Sequence, residues 1–358
     1  MADDLTILAT LMRPSLGLPV DDAQQTLVTD GWSDADRRAI LLRKARRAHR
    51  VAALLRPEAF GGDGGAQALA GDRKNHITSH LQKQAVWRSL TELLDAHHIR
   101  YWGVKGQRLG EQFYPEPAHR QAKDIDIVID PSDYAAAIAL LTERGYRAKA
   151  HRRFGNRSSR LAAIMAKDVV LSEPRHGVII EVHRRLLYIE AMGFTEHVLA
   201  GQPPGEFIDH YQPGPQLYLL LHGALSLWNR LKLVADISLL LRRLDRTGLD
   251  ALLDHAAAWR CRDAIISSLA LTEQLFPGSL AADAAARVAA LLGESKVAQA
   301  QLRRYRLALR GSELQDGRPP PWQRAEFPTA AWYIYPEWRM RAFLTAYVPV
   351  AAFARMVL

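Results

Sequence analysis

Cysteine occurs once in the 358 residues, at Cys261. A single thiol excludes an internal disulfide framework and any cysteine-rich zinc site, so redox and structural-zinc readings fall away. Long hydrophobic runs are missing as well, since no stretch approaches the ~18 uninterrupted apolar residues that span a bilayer. The opening MADDLTILATLMRP lacks the basic start and long apolar run of a signal peptide, and the expected compartment is the cytoplasm, without integral membrane insertion. No internal repeat is evident. Acidic residues are in deficit, 38 against 47 Lys and Arg, and the resulting charge of +9 favours anionic partners such as nucleotides, nucleic acid or acidic lipid heads.

What is present is a chain that is 48% hydrophobic, enough for a large core, with a length that suggests about two or three domains. Residues 5–56 alternate apolar and basic positions at helical spacing, and ADRRAILLRKARRAHRVAALL (35–55) is the clearest amphipathic segment. GGDGGAQALAGD (61–72) reads as a mobile glycine-rich loop, followed by a helix over about 77–98 with Leu81, Val86, Leu90, Leu93 and Leu94 on one side. From there the pattern turns to α/β. A strand at 99–104, a Lys105-Gly106 turn, a short helix to Tyr114, a loop with Pro115 and Pro117, and a strand Ile125–Ile129 precede a helix at 132–144, with Pro131 in its first turn. KDVVLS (167–172) and GVIIEVHRRL (177–186) form a hairpin through EPRH, and from Pro215 to about 310 the pattern is almost wholly helical. The expected organisation is an N-terminal helical region (1–98), a core with a small mixed sheet (99–200) and a C-terminal helical domain (201–358).

Side chains two apart on a strand share a face, so Asp124 and Asp126 point together while Ile125, Ile127 and Ile129 face the core. Paired carboxylates repel unless a cation lies between them, and hard oxygen ligands suit Mg²⁺ or Mn²⁺. Glu181, with His183 on its face, converges on the pair if its strand lies beside 124–129, and such a triad serves phosphoryl or nucleotidyl transfer. Lys105-Gly106 at a strand-to-helix turn is half a phosphate site: glycine allows close approach, and a helix N-terminus offers N–H groups. Arg120 and Lys123 are candidate cationic contacts to a triphosphate. The plainer alternatives are a polar strand end for the aspartates, an ion pair of Glu181 with Arg184 or Arg185, and a core role for His183.

Lys105, Gly106, Leu109, Tyr114-Pro115, Arg120, Asp124-Ile125-Asp126 and Glu181-Val182-His183 follow one another in an order that resembles the uncharacterised nucleotidyltransferases of the polymerase-β-like superfamily. The pattern is also similar to nucleotidyltransferases of abortive-infection toxin systems. Downstream, His222, Gly223, Trp228, Arg230, Leu231 and Asp236 extend the resemblance over about 100–241. Two positions depart from it: Glu181 stands where Asp is commoner, and Ser226 where a second His is common. The resemblance implies an α+β fold, a polymerase-β-like core flanked by N-terminal helices and a C-terminal helical bundle. It also implies a magnesium-dependent transferase that binds ATP or another NTP and moves NMP to an acceptor hydroxyl or phosphate, releasing pyrophosphate. Asp124, Asp126 and Glu181 would be the catalytic and metal-binding residues, with Glu181 also a proton acceptor. Gly106 and Gln107 backbone groups would cradle the phosphates, Lys105 and Arg120 would stabilise the leaving pyrophosphate, and His183 and His222 are candidates for acceptor contact or orientation.

The acceptor, a small molecule, a peptide or RNA, is open at this level, as are base preference and oligomeric state. An RNA-directed enzyme or toxin would use the basic segment 35–55 as its footprint, against the plainer reading of a solvated helix face. A degenerate, non-catalytic nucleotide- or peptide-binding module is the other rival. The aromatic tail 332–358 is expected to pack on the bundle rather than lie on a membrane surface, Trp228 to be core, and Asp236 to pair with Arg230 or Lys232.

Overall fold

The computed structural model describes residues 3–32, 34–56, 64–149, 167–187 and 193–311. The tail at 332–358 lies outside them. The chain forms two compact units that interleave along the sequence. The sheet unit takes Thr78–Leu109 and Ala122–Tyr218, and the helical unit takes the chain up to Ile77, Gly110–Gln121 and the chain from Leu219. None of the described helices is long and apolar enough to cross a membrane.

In the sheet unit, strands β1 (Tyr101–Gly103), β2 (Asp124–Ile129), β3 (Arg147–Ala148), β4 (Asp168–Ser172) and β5 (Ile179–His183) form one mixed sheet of order β1-β2-β5-β4-β3. Among these five strands β2 and β5 pair in parallel, and the other neighbours are antiparallel. The alternation of Asp and Ile at the start of DIDIVI makes β2 two-faced. Ile125, Ile127 and Ile129 join Ile180, Val182 and Leu171 in a core capped by Val86, Leu90 and Leu94 and by Ala137, Leu140 and Leu141. The first three capping residues belong to a long helix (Gly64–Ala96) and the last three to a short one (Tyr134–Glu143). The opposite sheet face carries Asp124, Asp126, Glu181 and His183, with Val128 and Ile179 among them.

The long helix begins far earlier than expected. Residues 64–72 are helical rather than a loop, because the glycines there are followed by the helix formers Ala, Gln and Leu, and Leu69 is fully buried. Leu81, expected on the buried side of that helix, is exposed. Pro131 falls in a turn before the next helix, whose first residue is Tyr134. Strand β3 carried no sequence signal.

Numbered in chain order, the helices are α1 (Asp4–Met12), α2 (Asp22–Trp32), α3 (Ala35–Arg43), α4 (Gly64–Ala96), α5 (Gln107–Phe113), α6 (Tyr134–Glu143), α7 (Phe194–Leu199), α8 (Pro213–Leu225), α9 (Leu231–Leu241), α10 (Arg246–Ala258), α11 (Arg262–Leu275), α12 (Ala282–Glu294) and α13 (Lys296–Gly311). The helical unit is organised around α9 and α11, which carry long uninterrupted buried runs. The basic segment 35–55 is not one helix. It runs through α3, a wider-wound turn Lys44–His49 and a left-handed Arg50, and it buries Leu41, Leu42, Ala45 and Ala48. Its cations Arg37 and Lys44 pair with Asp4 and its Arg46 with Asp72, which reduces the charge this segment presents.

Candidate active site

Antiparallel pairing of β1 with β2 sends the chain leaving β1 back past the start of β2. The Val104 N–H donates to the Asp126 carbonyl at 3.2 Å, so Lys105 and Gly106 come to lie against the Asp-Ile-Asp segment. Gly106 has φ +62°, and a Cβ built on it would stand 2.9 Å from the Asp124 carbonyl oxygen. The close approach that demands glycine here is therefore made to strand β2 itself. Gln107, buried, opens α5 immediately afterwards.

Parallel pairing of β2 with β5 sets Asp126 directly beside Glu181, and Val128 beside His183. In-register neighbours share a sheet face, so Asp124, Asp126, Glu181 and His183 occupy the face opposite the isoleucine core. Ligand atoms of Asp126, Glu181 and His183 all fall within 4.8 Å of one another. The Lys105 ammonium stands 3.1 Å from Asp126 Oδ1, and His183 Nε2 stands 3.0 Å from the same oxygen. Glu181 Oε2 is 3.7 Å from His183 Nε2 and 4.0 Å from the Lys167 ammonium, and its ion-pair contacts are to these rather than to Arg184 or Arg185.

Burial and charge shape the titration of this face. Burial pushes Glu181 up, and the neighbouring Asp126 and Asp124 carboxylates push it further, to about 7. Asp126 is desolvated too, but Lys105, its hydrogen bond from His183 and the nearby Lys167 outweigh burial and hold it well below the usual carboxylate range. His183 is pushed down to about 4, first by burial and then by Lys167, so it is neutral near pH 7. Lys105 is buried, yet Asp126, Tyr218 and Glu181 keep its pKa above the ordinary lysine value. Its ammonium also lies 5.8 Å from the centre of the Tyr218 ring, within cation–π range.

A divalent cation fits this donor set. Two carboxylates stand close enough to repel, one is held ionised and the other is driven toward protonation, and oxygen donors of this kind suit Mg²⁺ or Mn²⁺. The condition on which Glu181 was expected to converge, adjacency of its strand to β2, is met.

Lys123 is exposed on the approach to β2. Arg120 belongs to the helical unit, where its guanidinium forks onto Asp236, Nε to Oδ1 and Nη2 to Oδ2, both at 2.8 Å, and the Tyr114 hydroxyl donates to the same carboxylate at 2.8 Å. Asp236 is thus structural as expected, with Arg120 as partner instead of Arg230 or Lys232; the Lys232 ammonium donates to the Gln121 carbonyl. His222 is half-buried on α8 in the helical unit. The Gly223–Trp228 pair is packing: Trp228 is fully buried against Gly223 and donates to Ser268 Oγ at 3.0 Å.

Four residues of the sheet unit escaped the sequence reading. Lys167 and Asp168 reach the cluster from the start of β4, Tyr218 reaches it from α8, and the buried Lys83 on α4 lies in the field of Asp124. Lys167 and Asp168 sit in KDVVLS, where nothing in one sequence distinguishes them from a polar strand start. Lys83 carries the only usable signal, a lysine at a core-facing helix position.

A family model described as an uncharacterised nucleotidyltransferase matches residues 40–277, and the chain belongs to that family. The mixed α+β architecture with its five-stranded sheet agrees with that membership. No curated protein and no solved structure matches the chain.

Proposed function

We propose that the protein is a divalent-metal-dependent nucleotidyltransferase that moves NMP from an NTP to an acceptor hydroxyl or phosphate. The observation that carries this reading is the in-register pairing of Asp126 with Glu181 on a polar sheet face, within a chain of the nucleotidyltransferase family. Asp124, Asp126 and Glu181 would hold Mg²⁺ or Mn²⁺, which when bound supplies Lewis-acid polarisation of phosphate oxygens. His183 donates to Asp126 and orients it. Lys105, with the backbone of Gly106 and Gln107, faces the leaving phosphates, where fixed positive charge stabilises the transition state. Arg120 is assigned instead to Asp236, where both ends of its guanidinium are used.

In the transfer, the acceptor oxygen forms a bond to the α-phosphorus and the bond to the α,β-bridging oxygen breaks, so pyrophosphate leaves. With a hydroxyl acceptor, the proton passes to Glu181. Burial and its acidic neighbours make Glu181 the more basic carboxylate of the pair, suited to a proton acceptor near neutral pH.

Titration calorimetry with Mn²⁺ and a non-hydrolysable NTP tests the binding half. Asp126→Ala should lose Mn²⁺-dependent NTP binding, while Glu181→Gln should retain it and lose about 10²–10⁴ in pyrophosphate release once an acceptor is supplied. NTP binding that is indifferent to Mn²⁺ in the wild-type protein, or unaltered in Asp126→Ala, would overturn the proposal.

A further inference from the structure

Away from the carboxylates, the sheet unit holds a cavity of about 460 Å³ between α4, the end of α6 and the turn that joins β4 to β5. Two of its lining residues, Val86 and Tyr146, belong to the isoleucine core, so it opens on the helix-covered face of the sheet, opposite Asp126 and Glu181. A volume of this size falls in the range of small-molecule sites, roughly 300–1,000 Å³.

Local geometry holds the walls in place. α6 ends on a left-handed Gly145, at φ +84°, and the Tyr146 N–H donates to the Leu141 carbonyl at 3.0 Å, with the Tyr146 side chain only 8% exposed. In the β4–β5 turn Glu173 is buried, and its carboxylate accepts from the backbone N–H groups of Arg175 and His176, the first at 2.9 Å. Glu173 is therefore a brace of its own turn. Neither Arg144 nor Arg175 forms an ion pair with a carboxylate among the described residues, and the Tyr146 hydroxyl has no hydrogen-bond partner among them. Burial raises the Tyr146 pKa, the Glu173 carboxylate raises it further and Arg175 opposes both, so phenol, turn and guanidinium share one field and the phenol remains a donor.

Donors thus exceed acceptors around the cavity. Arg144, Arg175 and the Tyr146 hydroxyl have protons to offer, while the one lining carboxylate is already met by backbone donors. Val86, Leu93 and Pro174 supply the apolar wall. The complement of such a lining is an oxyanion on an apolar body, since guanidinium groups grip a carboxylate or phosphate through paired N–H groups and carbon surface gains by leaving water.

We infer that this cavity binds a small organic anion, a carboxylate or phosphate monoester on an apolar body, with Arg144 and Arg175 holding the head and the Tyr146 hydroxyl donating to it. The site shares no residue with the carboxylate face, so it stands or falls independently of the proposed transfer.

Saturation-transfer NMR of the whole protein in a chelating buffer tests this with two probes, phenylacetate and phenyl phosphate. At least one should bind, and the tighter of the two gives the head group. Benzyl alcohol, a similar body without charge, and inorganic phosphate, a head without a body, should each bind about tenfold or more weaker, the phosphate read by its failure to displace the probe. Arg144→Gln combined with Arg175→Gln changes only exposed side chains and should weaken the probe about tenfold or more. Tyr146→Phe should weaken it about three- to tenfold, with the fold checked by an unchanged melting temperature. Unaltered binding in the double variant or in Tyr146→Phe would overturn the assignment. So would benzyl alcohol binding as tightly as the anions, or no binding of either anion.

Discussion

Arg120, Asp236 and Tyr114 form a buried polar triad in the helical unit, each side chain joined to the next at 2.8 Å. Burial drives the Tyr114 hydroxyl pKa up and Asp236 drives it further, so the phenol stays a donor at any working pH. Removing either charge leaves the other buried without compensation, and Arg120→Met or Asp236→Ala should each cost about 3–5 kcal/mol in urea unfolding. The double variant should fall short of the sum by about 2 kcal/mol or more, because the residues share one interaction. Additive losses would show that the pair is not coupled. Cys261 offers a second test at this scale. Burial pushes its thiol up to about 12, so native protein at pH 8 holds the unreactive thiol form, and labelling by a thiol reagent should track global unfolding. The sign follows from linkage: the raised folded value contributes stability that is present below the ordinary thiol pKa and lost as pH rises toward about 12. Rapid labelling of native Cys261 at pH 8 would contradict its burial.

Among the elements, the turn from β1 into α5 matters most, since it carries Lys105 to β2. Gly106 combines a left-handed backbone with a Cβ position 2.9 Å from the Asp124 carbonyl. Gly106→Ala should therefore destabilise the fold by about 1–3 kcal/mol, seen as a lower denaturant midpoint. For the same reason a bulkier change such as Gly106→Val does not isolate phosphate binding, because the strand beneath would move as well. In the helical unit, Gly223 leaves room for the Trp228 ring, whose nearest atom would be 2.2 Å from an added Cβ. Gly223→Ala should cost about 1–3 kcal/mol by overpacking and shift the tryptophan emission of the native protein. An unaltered spectrum and midpoint would mean that the ring is not held there.

At the scale of the whole molecule, metal and stability are linked. A cation that binds only the folded protein at a hundred times its Kd adds about 2.7 kcal/mol, so saturating Mn²⁺ should raise the melting temperature by roughly a few degrees and a chelator should reverse it. The increment should vanish in Asp126→Asn whatever that variant's own melting temperature. A rise of equal size in the variant would place the ion elsewhere. Of the cations behind the net charge of +9, Arg37, Lys44 and Arg46 of the segment 35–55 are taken up by Asp4 and Asp72, and Leu41, Leu42, Ala45 and Ala48 of that segment are buried.

Much of this was legible in the residues alone, wherever the information is local. DIDIVI specifies a two-faced strand because side chains alternate with period two, and the Lys-Gly pair before a short helix specifies a turn because only glycine enters the left-handed region without cost. The order of these elements also resembles the nucleotidyltransferase family to which the chain belongs. Partnership across the chain was not legible. That Arg120 faces Asp236 depends on packing within the helical unit, while that Lys167 and Asp168 complete the carboxylate cluster and that Glu181 stands beside Asp126 depend on strand order and register. Those are set by how the isoleucine core packs under α4 and α6, an energy shared among residues far apart in sequence. Local pattern determined which side chains could do chemistry, and tertiary packing decided which of them meet, because a carboxylate's role is fixed by the charges within a few ångströms of it and only the folded chain supplies them.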